Sequence, residues 1–392
     1  MEAAAERYEE QLLAGPLAPV LHHKMVERLR HVSFLGTMPL VYSGALDCSR
    51  YEHSLGVAAM GALVAESLGL SDYLRALYEL YGLVHDVGHA PLSHATEVFL
   101  ARRSRLYHEG RTLSLLRRQD FAKVLAKVPI FKGREEEVVE TLASLLGDGK
   151  PKDSLPLLGT AISTDSLDYV PRCRRYLGLT EPDSTAFARS LRMLDGRAKT
   201  GPEGLDFLAD FWRMETDLYE NHIYTDRILA AEAMVTRALE IALAGRKKLP
   251  DLHEMTDEQF KRMLERGGAA SLVDDIWNGA VYQPLSKISP EHFESLSPRF
   301  EAAVRDPKEK AALEEGVACA RAIPAEQVIF HWSFVRRFFL RSPSAPRSQL
   351  WLFGEFDPWR NLRSEIDVTE ALALFGRSRA TNVRHEVFVK TR

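Results

Sequence analysis

Two short strings carry residue types suited to metal chemistry: Arg50-Tyr51-Glu52-His53 and His85-Asp86-Val87-Gly88-His89-Ala90-Pro91-Leu92-Ser93-His94. They place imidazoles and a carboxylate at the edges of consecutive apolar segments. A downstream aspartate from Ser163-Thr164-Asp165-Ser166-Leu167-Asp168-Tyr169 would complete two neutral imidazoles and two carboxylates around one divalent ion. Such an ion brings the pKa of a bound water toward neutrality, which suits hydrolysis of phosphate esters. Spacing alone does not choose between Asp165 and Asp168. A competing local pattern is His85-x-x-x-His89, a familiar zinc pair on one helical face, but it needs helix to persist through Gly88.

The elements that must position these groups read as helices. Leu55, Ala58, Ala59, Ala62 and Leu63 recur on one face before Gly69 closes the segment, so His53 falls in its first turn. From Tyr73 to Val84 the chain is apolar around most of its circumference, which predicts a buried helix with His85 and Asp86 at its C-terminal end. Gly88 and Pro91 then break it. Adjacent helical side chains point about 100° apart, so neighbours reach one ion most easily at a fraying end. Further on, 148–153 reads as an exposed loop, 155–168 as an apolar helix, and 206–244 as a long helical run. Thr256-Asp257-Glu258-Gln259 is a capping-box signature for a later helix.

The last third changes character. Val281-Tyr282-Gln283-Pro284-Leu285, Val328-Ile329-Phe330-His331-Trp332, Gln349-Leu350-Trp351-Leu352-Phe353 and Glu386-Val387-Phe388-Val389 are strand-like. Helices are expected after Ser289-Pro290 and over 368–375, giving the order of a split βαβ lobe. The expected fold is therefore mainly α, with a helical domain over 1–275 and a smaller C-terminal α+β lobe over 276–392. The lobe's aromatics Trp332, Trp351, Phe353 and Phe388 would form its own core or pack on the helical domain.

Composition narrows the function class. The 392 residues suffice for one large domain or a main domain with a smaller lobe. With 51 basic and 55 acidic side chains the net charge is -4, so no global basic field invites nucleic acid or membrane. Phosphate binding must come from local sites. Cys48, Cys173 and Cys319 are widely separated, which indicates neither a disulfide framework nor a thiolate metal site. A reducing cytoplasm is the simplest expectation. No apolar run approaches membrane-spanning length, and the acidic Met1-Glu2-Ala3-Ala4-Ala5-Glu6 start is unlike a signal peptide.

The two strings, together with Arg28-Leu29-Arg30-His31-Val32, His108-Glu109 and Asp165-Ser166-Leu167-Asp168-Tyr169, resemble the HD-domain phosphohydrolases, nearest the deoxynucleoside triphosphate triphosphohydrolase branch. The resemblance spans most of the chain. It implies that His53, His85, Asp86 and Asp165 bind one divalent ion, whether Mn, Fe, Mg, Zn, Ni or Co. It implies that Arg50, His89 and His94 face substrate phosphates, and that His108 is the general acid, oriented by Glu97 and Glu109. Tyr169 and Arg172 would add substrate contacts from the helix beyond Asp165. The basic run Arg102-Arg103-Ser104-Arg105 would steer phosphate or simply solvate a helix end.

The chain departs from that branch at the sugar. Phe34 stands where relatives carry a glutamine that reads the deoxyribose 3′-hydroxyl, Ser166 where some carry lysine, and Cys173 where they carry a carboxylate. The implied activity is hydrolysis of (deoxy)nucleoside triphosphates to nucleoside and tripolyphosphate, in a cytoplasmic homo-oligomer that takes nucleotides rather than nucleic acid or membrane as partners. An HD nucleotidase, phosphomonoesterase or phosphodiesterase, and a nucleotide-binding regulatory module with little turnover, are the alternatives.

Overall fold

The computed structural model describes residues 2–42, 48–104, 108–146, 155–159, 162–246, 248–284, 303, 306–335, 350–352, 366–367 and 382–389. Its frame is helical. Ser49 opens the Arg50–Ser67 helix through a reciprocal capping box, its hydroxyl accepting from the Glu52 amide while the Glu52 carboxylate accepts from the Ser49 amide at 2.7 Å. Such a cap contributes about 1 kcal/mol and fixes where the helix begins, which puts His53 one turn in. Ser71 caps the Asp72–Val84 helix, which packs along the Arg50 helix, and His85 is its C-terminal cap residue. The helical pair His85/His89 therefore does not arise, because the chain leaves helix at His85 and turns through Gly88.

A third helix, Thr164–Tyr176, crosses the Arg50 helix. The crossing is close enough that a Cβ added to Gly56 would sit 2.0 Å from the Asp168 carboxylate. Leu29, Leu55, Val84, Phe121, Leu142 and Val170 are among the buried members of this core. A second core gathers around the Asp226–Ala242 helix, with Met234, Leu239, Phe260 and Val273 inside it.

Some expected boundaries move. Helix begins at Thr164 and not at Leu155, because Leu157 adopts φ 62° and Leu155, Leu157 and Leu158 bury themselves from turns; Ser163 then caps the helix. Apolar spacing reported burial there, not helix. The expected run 206–244 is two helices, Pro202–Leu218 and Asp226–Ala242, parted by a wide turn at Tyr219–Ile223 and an extended Thr225.

Among the described residues the strands fall into two sheets and not into one split βαβ lobe. One sheet runs Arg192–Leu194, Arg197–Thr200, Leu350–Leu352, Ile366–Asp367, and the other Gln283–Pro284, Asn382–Val389, Val328–Val335. The Leu350 strand lies parallel to the Arg197 strand, with Lys199 opposite Trp351, and this ties the late chain to a hairpin that the sequence reading missed. The eight-residue Val328 and Asn382 strands pair antiparallel in full register. The Pro307–Arg321 helix flanks them, and buried Lys310 reaches Glu240 at 2.7 Å on the Asp226 helix. The expected loop at 148–153, the helices after Ser289 and over 368–375, and the side chains of Arg102, Arg103, Arg105, Trp332, Trp351, Phe353 and Phe388 lie outside the described residues. Among the described residues no helix is long and apolar enough to cross a membrane.

Candidate metal centre

His53 and His85 are each held by the ring nitrogen that faces away from the site. His53 Nδ1 lies 2.8 Å from Asp168 Oδ2, and His85 Nδ1 lies 2.9 Å from the Gly82 carbonyl. Acceptors there fix the tautomer that leaves Nε2 bare, the usual preparation of a metal-binding imidazole. The two Nε2 atoms face each other at 3.3 Å. An ion between them would take one lone pair from each ring.

Two carboxylates lie beside these nitrogens. Asp165 Oδ1 is 3.1 Å from His53 Nε2 and 3.9 Å from His85 Nε2, while Asp86 lies 3.7 Å and 3.4 Å from the same atoms. His53, His85 and Asp86 each offer a ligand atom within 4.8 Å of the other two, a spacing that suits a divalent cation, and Asp165 stands at the edge of that group. His53, His85 and Asp86 are buried, whereas Asp165 is 43% exposed and opens the site to solvent. Burial opposes a charge on Asp86, but His85, Arg50 and His89 outweigh it and hold the acid well below the usual range. Asp165 is likewise lowered, by His53 and His85 against burial.

Beside this set lies a second cluster. Glu97 bridges two imidazoles: Oε2 meets His94 Nδ1 at 2.7 Å, and Oε1 meets His108 Nδ1 in a very short contact. His108 stacks on His89 with centroids 3.9 Å apart and planes 16° apart, and His89 Nε2 reaches Asp86 at 3.5 Å. Burial pulls His108 down, yet Glu97, Glu109 and Asp86 raise it net, so it keeps its proton above the ordinary histidine range. Burial, Arg50 and His108 push His89 well down and keep it neutral. Glu97 stays ionised despite burial, between His94 and His108. The four groups have ligand atoms within 4.8 Å of one another, a spacing that also suits a cation. Glu109 is more remote, 3.5 Å from His108 and 43% exposed. The helix carrying His108 passes so near that a Cβ on Gly88 would meet the His108 carbonyl at 2.2 Å, and this explains the glycine.

The remaining expected residues line the site from inside. Arg50 is buried and donates to Asp86 at 2.5 Å, to Ser93 Oγ at 2.8 Å and to the Phe34 carbonyl at 3.4 Å. Arg172 grips both oxygens of Asp168 at 2.7 and 2.9 Å. As placed, both guanidiniums are engaged with carboxylates of the site. The Phe34 ring stacks on His53 at 4.4 Å and meets Tyr169 edge-on at 6.1 Å. Burial, with Tyr219 beside it, raises Tyr169 well above a phenol's usual value, so it is neutral. Sequence reasoning left Asp165 and Asp168 open as alternatives, and the resemblance that chose Asp165 gave Asp168 no role of its own. The available signal was its i+3 spacing from Asp165, which returns to the same helical face.

Residues 50–192 match the family model described as HD domain, a span that holds all four candidate ligands and the second cluster. The chain carries an HD domain. Similar proteins include Bacillus subtilis YwfO, an uncharacterised protein, 28% identical over 55% of this chain and 49% of its own length. The Dictyostelium discoideum homologue of the deoxynucleoside triphosphate triphosphohydrolase SAMHD1 is 27% identical over 39% of this chain and 32% of its own. Bovine SAMHD1 is 28% identical over 42% and 33%. This HD-domain chain thus matches about a third to a half of the length of these curated relatives. Among solved structures, a hypothetical protein from Aquifex aeolicus shares the fold with a TM-score of 0.67 at 19% identity, covering 95% of this chain and 91% of that one. A Bacteroides thetaiotaomicron phosphohydrolase does so with a TM-score of 0.66 at 17% identity, covering 96% of each.

Proposed function

We propose that this HD-domain chain hydrolyses (deoxy)nucleoside triphosphates to nucleoside and tripolyphosphate, with one divalent ion held by His53, His85, Asp86 and Asp165. The observation that carries the reading is the stacking of His108 on His89, whose Nε2 reaches the Asp86 carboxylate, so that the His108 imidazole stands one ring away from that carboxylate. When bound, the ion supplies Lewis-acid polarisation of a phosphoryl oxygen and an activated water.

The chain's own groups do the rest. His108, charged by Glu97, gives its proton to the 5′-oxygen as the bond from the α-phosphorus breaks, and no unstable alkoxide has to leave. Neutral His89 donates a hydrogen bond at the same place without adding a competing charge. His94, 58% exposed and tied to Glu97, reaches outward to the phosphate chain. Tyr169 flanks the opposite side. Phe34 presents carbon toward the sugar, so a 3′-hydroxyl gains no hydrogen bond from it. Cytoplasmic self-assembly, expected from the sequence, belongs to the same proposal.

The test is product analysis. Purified protein loaded with several divalent ions is offered a nucleotide panel, and nucleoside, monophosphate, pyrophosphate and tripolyphosphate are resolved. Tripolyphosphate with nucleoside supports the reading; phosphate or pyrophosphate with a shortened nucleotide moves the protein to a nucleotidase or related phosphoesterase.

A further inference from the structure

The turn that leads into His94, within the second histidine string, is strained. Leu92 and Ser93 are consecutive non-glycine residues in the left-handed region, with φ of 54° and 49°. L-residues avoid that region, and strain of this kind persists only where surroundings over-determine it, commonly at functional sites. Here the strained pair turns Ser93 so that its hydroxyl accepts from Arg50 Nε at 2.8 Å and donates to the Ser33 carbonyl at 2.5 Å, and it starts the helix that carries His94 and Glu97.

The surroundings that hold the turn come from far along the chain. Asp257, the first residue of the Asp257–Leu264 helix, accepts from the Leu92 amide through Oδ1 at 2.9 Å and from the Ser33 amide through Oδ2 at 2.8 Å. One carboxylate thereby joins two loops. The Ser33 loop presents Phe34 to His53, and the Leu92 loop presents His94 to Glu97. Neighbouring residues grip the same stretch: His253 Nδ1 meets the Gly88 carbonyl at 2.6 Å, and Arg28 donates to the carbonyls of Val87, His89 and Met255 at 3.0, 2.7 and 2.9 Å. His253, Met255 and Asp257 all lie outside the 50–192 span that matches the HD domain.

We infer that Asp257 is a positioning residue that sets the register of both walls of the site, the Phe34 wall and the His94 turn, so that the working unit of this protein extends beyond its HD domain to residues 253–257. The effect on turnover rests on the phosphohydrolase reading above; the effect on the loops does not. The Asp257 carboxylate accepts from both amides, one through each oxygen, and no amide isostere can: an asparagine in its place would keep one acceptor and turn an N–H toward the other amide. The metal ligands sit on or beside the Arg50, Asp72 and Thr164 helices, which have their own packing, so the ion should be retained when the clamp is lost.

The experiment compares the full-length protein with Asp257→Asn, Asp257→Ala and, as control, Glu258→Gln, whose partner is the exposed Arg262. Amide hydrogen exchange, bound metal, and kcat and KM are read together. In the Asp257 variants, exchange at Ser33 and over residues 88–95 should quicken about 10-fold. The Arg50 and Asp72 helices and the metal content should be unchanged, and kcat should fall about 10- to 100-fold with KM nearly kept. Unchanged exchange at Ser33 and Leu92 overturns the clamp, and faster exchange with unaltered kcat overturns its positioning role. Should Asp257→Ala fail to fold, Asp257→Asn decides alone, since it preserves shape and one hydrogen bond. If the wild type turns over no nucleotide, the functional reading fails while the exchange result still decides the clamp.

Discussion

Asp168 accepts a hydrogen bond from His53 at 2.8 Å while Arg172 grips both of its oxygens. Burial pulls the His53 pKa down, and Asp165 and Asp168 raise it net, while Arg172 holds Asp168 in place against the ring. Losing such an outer partner typically costs about 10- to 100-fold in metal affinity. Asp168→Asn should therefore weaken binding by about that factor when metal-stripped protein is titrated with Mn or Zn. Wild-type affinity in the variant would mean that His53 needs no such support.

The second prediction is a pH profile. His108 has its pKa raised by Glu97 over the opposing effect of burial, so the donor form persists above the ordinary histidine value and is lost as pH rises through the raised one. Glu97→Gln removes the largest raising influence. The alkaline limb of kcat should then move to lower pH, and His108→Ala should abolish that limb and lower kcat about 10²- to 10⁴-fold. An alkaline limb that stays where it is in Glu97→Gln assigns the proton to another group.

Arg50 gives a stability prediction. Its guanidinium is 5% exposed and the Asp86 carboxylate 6%, at 2.5 Å. Removing one partner of a buried pair strands the other charge, at a cost of about 3–5 kcal/mol. Arg50→Met should lower the urea midpoint accordingly in metal-stripped protein, and divalent ion bound at Asp86 should recover part of the loss. Lost turnover with unaltered stability would show instead that Arg50 serves the substrate alone.

Selectivity should follow Phe34. A site that hydrogen-bonds a hydroxyl rejects its absence by about 10⁴-fold or more, whereas a ring gains little from it. Nucleotides lacking the 3′-hydroxyl should therefore compete well with matched substrates that have it, and Phe34→Gln should shift preference toward the hydroxyl. A strong wild-type preference unchanged by the substitution would place the sugar-reading group elsewhere.

Local rules carried the sequence reading a long way where the chemistry was local. Ser49 and Glu52 announce a helix start, which is why His53 could be placed in a first turn, and His85-Asp86 fell at a helix end as Gly88 and Pro91 implied. The start at Thr164 was obscured because Leu155, Leu157 and Leu158 keep a helix-like apolar spacing while buried in turns. Strand partners were illegible for another reason. Alternation tells which face of a strand is buried but not which strand lies beside it, so the pairing of Ala198 with Leu350, far later in the chain, had no local signal. Asp257 shows the same limit at the site: its capping-box context predicts the helix, and only the fold brings its side chain to Leu92 and Ser33.

The central claim is that His53, His85, Asp86 and Asp165 share one ion in this HD-domain chain, and elemental analysis of protein purified without chelator tests it most directly. The wild type should carry about one divalent ion per chain, and the His85→Ala, Asp86→Ala double variant should carry almost none while retaining helical circular dichroism. Undiminished metal content in a folded double variant would contradict the account.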